Sequence, residues 1–239
     1  MGNYRYINES DLSVILERIS GESLYNESAL TDFVSHRLDK MLERIKRYSK
    51  EISSKTNDAL KNAQQINLIV GPSGAGKTTI ARSMLTSPMF QMANSFSQIE
   101  CFPTIFMKDG APNNTFIIES ILCSQDQRDR LINLSKAGMY IRMFFVSTAT
   151  PFINIDRIVK RDALNNSKSD VRRVLDRYFK SLASAIALTP CVDELVVLDN
   201  SIDNQAPKVI LQLYGNEVVY QTPSIPKWAS MFLSNGNQL

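Results

Sequence analysis

The sequence predicts an α/β fold with a mostly parallel sheet. Three observations support this prediction: short apolar runs alternate with helical patterns, a glycine-rich loop follows the first run, and two later runs end in a carboxylate. Strands that alternate with helices pair in parallel through right-handed crossovers. With 239 residues, 44% of them hydrophobic, the chain is long enough for one sizeable α/β domain and an appendage.

The charge balance and the cysteine pattern argue against several classes of protein. Lys and Arg number 27 against 24 Asp and Glu, and a net charge of +3 is too small to indicate nucleic acid as the main partner. Cys101, Cys123 and Cys191 have no Cys-x-x-Cys spacing, so neither a zinc site nor a disulfide framework is predicted. No run of 18 apolar residues occurs, and the N-terminus has no apolar leader segment. We therefore expect a cytoplasmic protein without a membrane span.

Residues 1–64 are predicted to form a helical extension before the α/β domain of residues 65–239. Between Leu30 and Ile52, apolar residues recur every three or four positions, which is typical of an amphipathic helix. This stripe either packs against the core of the same chain or docks a regulatory partner or a second copy. The single histidine, His36, lies in this pattern, so a carboxylate is the default catalytic base.

The elements of the α/β domain follow one another in a regular order. Strands are predicted at 66–70, 115–119, 139–146 and 194–200, helices at 78–86, 124–136 and 151–189, and a closing β-hairpin at 208–214 and 217–222. Ser124 followed by Gln127 has the pattern of a capping box, and Gly138 supplies the helix stop. Gly215 and Asn216 are typical of a hairpin turn.

The segment from Gly71 to Thr78 matches the pattern G-x-x-x-x-G-K-[ST] in full, between a predicted strand and a predicted helix. Glycines allow the backbone to wrap phosphates closely, and the following helix adds its positive N-terminal end. Lys77 would reach the β and γ phosphates, and the Thr78 hydroxyl would ligate Mg²⁺. The sequence therefore predicts the three-layer αβα fold of P-loop NTPases. The predicted nucleotide-binding residues are Gly71, Pro72, Ser73, Gly74, Ala75, Gly76, Lys77, Thr78 and Thr79.

The loop motif leaves the class of reaction open, since P-loop proteins include kinases, GTPase switches and motor ATPases. No N-K-x-D guanine-binding motif occurs, which argues against a GTPase. The strand at 115–119 ends in Glu119, at the end of the sheet where α/β proteins bind ligands. Glu119 could polarise water, hold Mg²⁺ through a water, hold a substrate hydroxyl, or be a solvated charge at a strand end.

Arginines concentrate in the helical region that follows the third strand. Arg157 and Arg161 are four residues apart and share a helix face, as do Arg173 and Arg177. The planar guanidinium group suits the stabilisation of a moving phosphate. The turn-like segment 165–169 would let the helices of about 151–189 act as a lid. The alternative is that each arginine lies on a solvated helix face.

In this order the elements resemble the zeta toxin family of P-loop kinases, in its broad, widely distributed branch. The matching pieces lie between about Gln65 and Ser201: GPSGAGKTT, FIIESIL, AGMYIRMFFVST, the arginine-rich INIDRIVKR and DVRRVLDRYFKSLASA, and LVVLDNS. The resemblance implies an ATP-dependent, Mg²⁺-requiring kinase whose acceptor is a small molecule of the UDP-N-acetylglucosamine class. The chain could be a toxin, which its own N-terminal helices would restrain or which an antitoxin docked on those helices would restrain, or it could be a housekeeping kinase.

The resemblance assigns roles to individual residues. Lys77 and Thr78 would handle the phosphates and Mg²⁺, and Glu119, with the adjacent Ser120, would sit in the acceptor site. Arg157 and Arg161 would lie over the phosphates in the lid. Arg173 and Arg177 complete the predicted substrate contacts.

The chain departs from the family pattern at the catalytic base. The family places an aspartate after its second strand, where this chain reads 90-FQMANSFSQIECF-102. Asn94 falls at the aspartate position on one alignment, and an amide cannot accept a proton as a carboxylate does. Glu100 is the preferred base, and Asp109 is a weaker alternative.

Two other functions stay open. A nucleotide-binding switch or regulatory ATPase without phosphotransfer would fit an asparagine at position 94. A polynucleotide kinase is compatible with the arginine-rich region, but the aromatic residues that would stack bases are not interleaved there. Nucleic acid is therefore not the expected partner.

Overall fold

The computed structural model describes residues 37, 40–48, 65–86, 115–136 and 138–234. They form a mixed α/β structure with a six-stranded sheet and six α-helices. The strands are β1 Gln65–Val70, β2 Thr115–Ser120, β3 Tyr140–Ser147, β4 Glu194–Asp199, β5 Lys208–Tyr214 and β6 Glu217–Gln221. The helices are α1 (40–48), α2 Lys77–Thr86, α3 Gln125–Lys136, α4 Pro151–Leu164, α5 Val171–Leu188 and α6 Lys227–Ser234. Within these ranges, no helix has both the length and the apolar character needed to cross a membrane.

The sheet has the strand order β2-β1-β3-β4-β5-β6. The first four strands are parallel, and β5 and β6 add an antiparallel hairpin at one edge. The prediction of a mostly parallel sheet in an α/β fold is therefore confirmed. Because β1 lies between β2 and β3, the loop that leaves its carboxyl end has the ends of both neighbours beside it.

Apolar side chains fill both faces of the sheet, so the sheet is the middle of three layers. Leu68 and Met143 point to one face, where they share a core with residues of α1, α3, α4, α5 and α6. Ile69 and Val196 point to the other face and pack with Ala81 of α2. Near-continuous apolar strands of this kind are expected where both faces of a parallel sheet are covered.

The predicted bounds of the strands differ from the observed ones by no more than one residue. The capping box before α3 is also present. Ser124 Oγ accepts the N–H of Gln127 at 3.3 Å, and Gln127 Oε1 accepts the N–H of Ser124 at 3.2 Å. The helical region 151–189 divides into α4 and α5 around the predicted turn, where buried Asp162 accepts hydrogen bonds from Ser167 and Ser169.

The helix α6 was not predicted, because the sequence elements were taken to end with the hairpin. Its eight residues are too few for a stable isolated helix, so tertiary packing must hold it. Trp228 and Phe232 place their rings 6.2 and 5.3 Å from the Phe145 ring, centroid to centroid. The chain after the hairpin therefore returns to the sheet, where α6 packs on the inner strand β3.

The helix α1 packs against the core of the same chain, which is one of the two alternatives that the sequence left open. Met41 is fully buried and Ile45 is 6% exposed, while Leu42 is 44% exposed although the predicted stripe included it. Arg37 adds an ion pair to Asp176 of α5 at 3.1 Å. The predicted boundary at residue 64 lies outside the described residues, and docking of a partner on the N-terminal helices stays a prediction.

Two neighbouring substitutions test the packing of α1. We expect Met41→Ala to lower the free energy of unfolding by about 2–5 kcal/mol, because it leaves a cavity in the core. Leu42→Ala is the matched control on the same helix and should change the stability by about 0.5 kcal/mol or less. Urea unfolding followed by circular dichroism measures both. Equally small effects would contradict the packing of α1 against the sheet.

Candidate functional site

The glycine loop, residues 71–76, joins the carboxyl end of β1 to the start of α2. Gly74 and Gly76 have φ angles of 80° and 93°, in the left-handed region that favours glycine. A Cβ atom on Gly74 would lie 2.6 Å from the backbone oxygen of Asn154, and one on Gly76 would lie 2.4 Å from Asn200 Nδ2. The loop is therefore packed between α4 and the segment that follows β4, with no room for larger side chains.

Lys77 begins α2, and its side chain folds back over the glycine loop. Its Nζ atom donates a hydrogen bond to the carbonyl oxygen of Pro72 at 2.9 Å, and the residue is 7% exposed. Burial lowers the pKa of Lys77 to about 8, although nearby Glu119 and Cys123 favour the charged form. A buried ammonium group above the loop is a position where a bound anion would restore the ordinary pKa.

Thr78 and Glu119 meet beside the loop. The Thr78 hydroxyl donates to the Glu119 carboxylate, with 2.8 Å to Oε1 and 3.0 Å to Oε2. The parallel register brings them together, because Ile69 in β1 pairs with Glu119 in β2. Within the described part of the chain, no three His, Cys, Asp or Glu side chains could hold a metal ion together. The hydroxyl and carboxylate oxygens nevertheless fit Mg²⁺, which in phosphate sites takes one or two protein ligands and completes its shell with phosphate and water.

Arg157, which the family resemblance places over the phosphates, contacts the glycine loop in this structure. Its Nε and Nη2 atoms donate to Asp203 Oδ1 at 2.8 and 2.5 Å, and Nη1 donates to the carbonyl oxygen of Gly74 at 3.4 Å. Arg161 is exposed, and the described contacts include no hydrogen bond from its side chain to the loop. Four residues along a helix amount to a rise of about 6 Å. The fold therefore brings Arg157 to the loop but not Arg161.

The other predicted substrate contacts do not meet at the loop in this structure. Ser120 is 6% exposed, and its hydroxyl oxygen accepts the N–H of Leu122 at 3.0 Å. Arg173 is exposed and Arg177 is half-buried on the first turns of α5, and no described contact joins either side chain to the loop. Residues Ser181–Leu188 are all buried, so the C-terminal end of the predicted lid belongs to the core. Movement of the remaining part of the lid stays a prediction.

Two asparagines that the sequence analysis did not single out bind the glycine loop. Asn154 Nδ2 donates to the carbonyl oxygen of Ser73 at 2.7 Å, and Asn200 Nδ2 donates to that of Ala75 at 2.8 Å. They lie in the stretches INIDR and LDNS, which contribute to the family resemblance. The sequence does not mark either asparagine as a loop contact, because asparagine is also common in turns and helix caps.

A cleft of about 730 Å³ opens beside the loop. Thr79 and Ser83 of α2 form one wall, Phe144 and Val196 form an apolar floor, and the segment 200–207 after β4 forms the opposite wall. Its volume is within the range of small-molecule sites. The candidate bases Glu100 and Asp109, and Asn94 at the family's aspartate position, lie outside the described residues, so the structure does not test the predicted base.

No family model matches the chain, and no curated protein is similar to it. Among solved structures, the chain is similar to the crystal structure of AvrRxo1-ORF1:AvrRxo1-ORF2 with sulphate ions. The two share 12% sequence identity over 77% of this chain and 68% of that chain, with a TM-score of 0.36. This likeness is too low to carry an argument about fold or activity, so the membership of the zeta toxin family stays a prediction from the sequence.

The lowered pKa of Lys77 predicts a pH dependence of stability. The pKa is about 8 in the folded protein against 10.5 for an ordinary lysine, so the unfolded chain binds more protons between these values. The contribution of Lys77 to the free energy of unfolding should therefore rise with pH from about 8 to about 10.5. Lys77→Met removes this contribution. Urea unfolding of both proteins over this window measures the difference, and parallel curves would contradict the buried ammonium group.

Proposed function

We propose that this chain is a kinase with the P-loop NTPase fold that transfers the γ-phosphate of ATP to a hydroxyl group of a small molecule. One observation carries the proposal: a buried lysine, a hydroxyl–carboxylate pair and an arginine meet at one glycine loop at the carboxyl edge of a parallel sheet. A loop of this kind before a helix N-terminus is suited to bind phosphates.

In the proposed donor site, Lys77 exchanges its bond with Pro72 for the β and γ phosphates of ATP. The exchange is favourable because the ammonium group is buried, and a charge pair is stronger where little water screens it. A bound anion also raises the pKa of Lys77, so binding above about pH 8 takes up a proton.

The Thr78 hydroxyl and the Glu119 carboxylate are the residues that would hold Mg²⁺. Thr78 donates its proton to Glu119, which leaves the lone pairs of the hydroxyl oxygen available for the ion. When bound, Mg²⁺ supplies charge neutralisation of the β and γ phosphate oxygens. This contact supports a metal role for Glu119, one of the roles that the sequence left open. The acceptor-site role that the family resemblance implies has no contact of its own in the structure described and stays a prediction.

The cleft beside the loop is the proposed site of the adenosine group. It begins at Gly76 and Thr79, next to the phosphates, and has apolar surface from Phe144 and Val196 for a base. Arg157 stands between the cleft and the loop, where its guanidinium group can stabilise the negative charge on the transferring phosphoryl group.

The chemical class of the acceptor and the identity of the catalytic base are proposed from the resemblance to the zeta toxin family. A nucleotide sugar such as UDP-N-acetylglucosamine would present a hydroxyl oxygen that bonds to the γ-phosphorus, while the bond from that phosphorus to the β–γ bridging oxygen breaks and ADP leaves. Glu100 would take the hydroxyl proton. An antitoxin on the N-terminal helices and a cytoplasmic location belong to the same proposal.

A transfer assay tests the reaction. Purified protein with γ-labelled ATP should label one member of a panel of nucleotide sugars, and Lys77→Ala should reduce the transfer by about 100-fold or more because it removes a charge aimed at the phosphates. Nucleosides and 5′-hydroxyl oligonucleotides complete the panel. A labelled oligonucleotide would indicate a polynucleotide kinase, and hydrolysis or binding without any labelled acceptor would indicate a regulatory ATPase.

A pair of substitutions tests which of the two arginines of α4 acts at the loop. We expect Arg157→Ala to lower kcat by about 100-fold or more, since its side chain contacts the loop, and Arg161→Ala to lower it by less than about tenfold. Arg161→Ala is matched in chemistry and lies one turn away on the same helix. If both variants lose activity equally, a rearrangement must bring Arg161 to the phosphates, and the assignment to Arg157 alone is wrong.

A further inference from the structure

We propose that Asn154 and Asn200 are positioning residues that hold the glycine loop in its phosphate-binding form before any ligand arrives. The inference rests on the proposed function, because it assumes that this loop binds the phosphates. It adds two residues, from two separate elements of the fold, that neither the loop motif nor the predicted roles include.

Each of four consecutive carbonyl groups in the loop accepts a hydrogen bond from a side chain. The pairs are Pro72 with Lys77 at 2.9 Å, Ser73 with Asn154 at 2.7 Å, Gly74 with Arg157 at 3.4 Å and Ala75 with Asn200 at 2.8 Å. In a trans peptide the C=O of one residue and the N–H of the next point in opposite directions. In each of these peptides the N–H group of the next residue therefore points away from the donor that binds the carbonyl, and the N–H of Ala75 itself donates to the Pro72 carbonyl oxygen at 3.3 Å.

The four donors differ in charge, and a bound phosphate would therefore compete for their hydrogen bonds to different degrees. Lys77 and Arg157 are cations, so bound phosphates compete with the loop carbonyls for their protons. The amides of Asn154 and Asn200 are neutral and gain much less from moving to an anion. We therefore expect the two amides to keep their bonds to Ser73 and Ala75 when ATP binds, while the two cations turn toward the phosphates.

The Asn154 amide is oriented by a side-chain contact, and the backbone of Asn200 is held by a hydrogen bond. Asn154 is fully buried in α4, and its Oδ1 atom accepts the hydroxyl proton of Thr148, which orients the amide so that Nδ2 faces the loop. Asn200 follows β4. Its backbone N–H donates a hydrogen bond of 2.8 Å to the carbonyl oxygen of Ser147, the last residue of β3. The loop is thus held from α4 on one side and from the end of β4 on the other.

Fixing the loop in advance matters because glycine loses more conformational freedom than any other residue when it becomes ordered. A loop with three glycines in six residues would otherwise have to be ordered by its ligand, which would weaken binding. The two amides supply that order in the folded protein. Their removal should weaken the binding of phosphates without removing any group that contacts them.

The experiment measures affinity for ATP, for inorganic tripolyphosphate and for adenosine by calorimetry. Asn200→Ala and Asn154→Ala each remove one amide without adding charge, and without Asn154 the Thr148 hydroxyl still has the Thr150 carbonyl oxygen as an acceptor at 2.8 Å. Each should weaken ATP and tripolyphosphate by about tenfold or more, because a carbonyl loses its partner and the loop loses its order. The affinity for adenosine should fall by less than about threefold. Hydrogen exchange of the loop amides without ligand should be faster in both variants.

The control is Asn216→Ala in the exposed hairpin turn, the same substitution away from the loop, which should leave all three affinities unchanged. If the wild type binds neither ATP nor tripolyphosphate, the proposed function fails. If the wild type binds them and both variants bind them equally well, only the inference is overturned. A loss confined to adenosine would place Asn200 against the base instead and would also overturn it.

Discussion

The site depends on the parallel pairing of β1 with β2 on one side and β3 on the other. Parallel strands bring their carboxyl ends to one edge, so the glycine loop after β1 lies beside the end of β2, which carries Glu119. It also lies beside the chain that leaves β3 and enters α4, which carries Asn154 and Arg157. A shift of β2 by one residue would turn Glu119 to the opposite face of the sheet, away from Thr78. The core on both faces therefore serves the chemistry by fixing this register.

The same edge has an electrostatic character that follows from burial. Lys77 is held above the loop with little access to water, and its pKa falls to about 8. Arg157 is neutralised in part by Asp203, and Glu119 is close enough to Lys77 to favour its charge. In this structure both cations are held by backbone carbonyl groups of the loop, Lys77 by Pro72 and Arg157 by Gly74. Under the proposed function, a bound phosphate would offset the free energy that the burial of the Lys77 ammonium group costs.

The agreement between sequence and fold is good where the signal is local. Apolar runs set the strands, and the Ser124 and Gln127 pair set the start of α3, because strand pleat and helix capping involve residues only a few positions apart. The prediction missed α6. Its short sequence forms a helix because Trp228 and Phe232 pack against Phe145 of β3. The prediction also placed Leu42 in the apolar stripe of α1, whereas the buried face runs through Met41 and Ile45. Sequence periodicity allows several faces, and contact with the sheet selects one.

At the site, the sequence by itself determined the glycine loop with Lys77 and Thr78, since these residues are contiguous and the spacing between them defines the phosphate-binding motif. It also determined that Glu119 lies near the end of a strand and that arginines follow β3. Only the tertiary structure decided that Glu119 contacts Thr78, that Arg157 reaches the loop while Arg161 does not, and that Asn154 and Asn200 bind its carbonyl groups. These contacts join residues that are 41 to 125 positions apart in the chain. Their partners are set by strand order, register and helix rotation, which no short stretch of sequence contains.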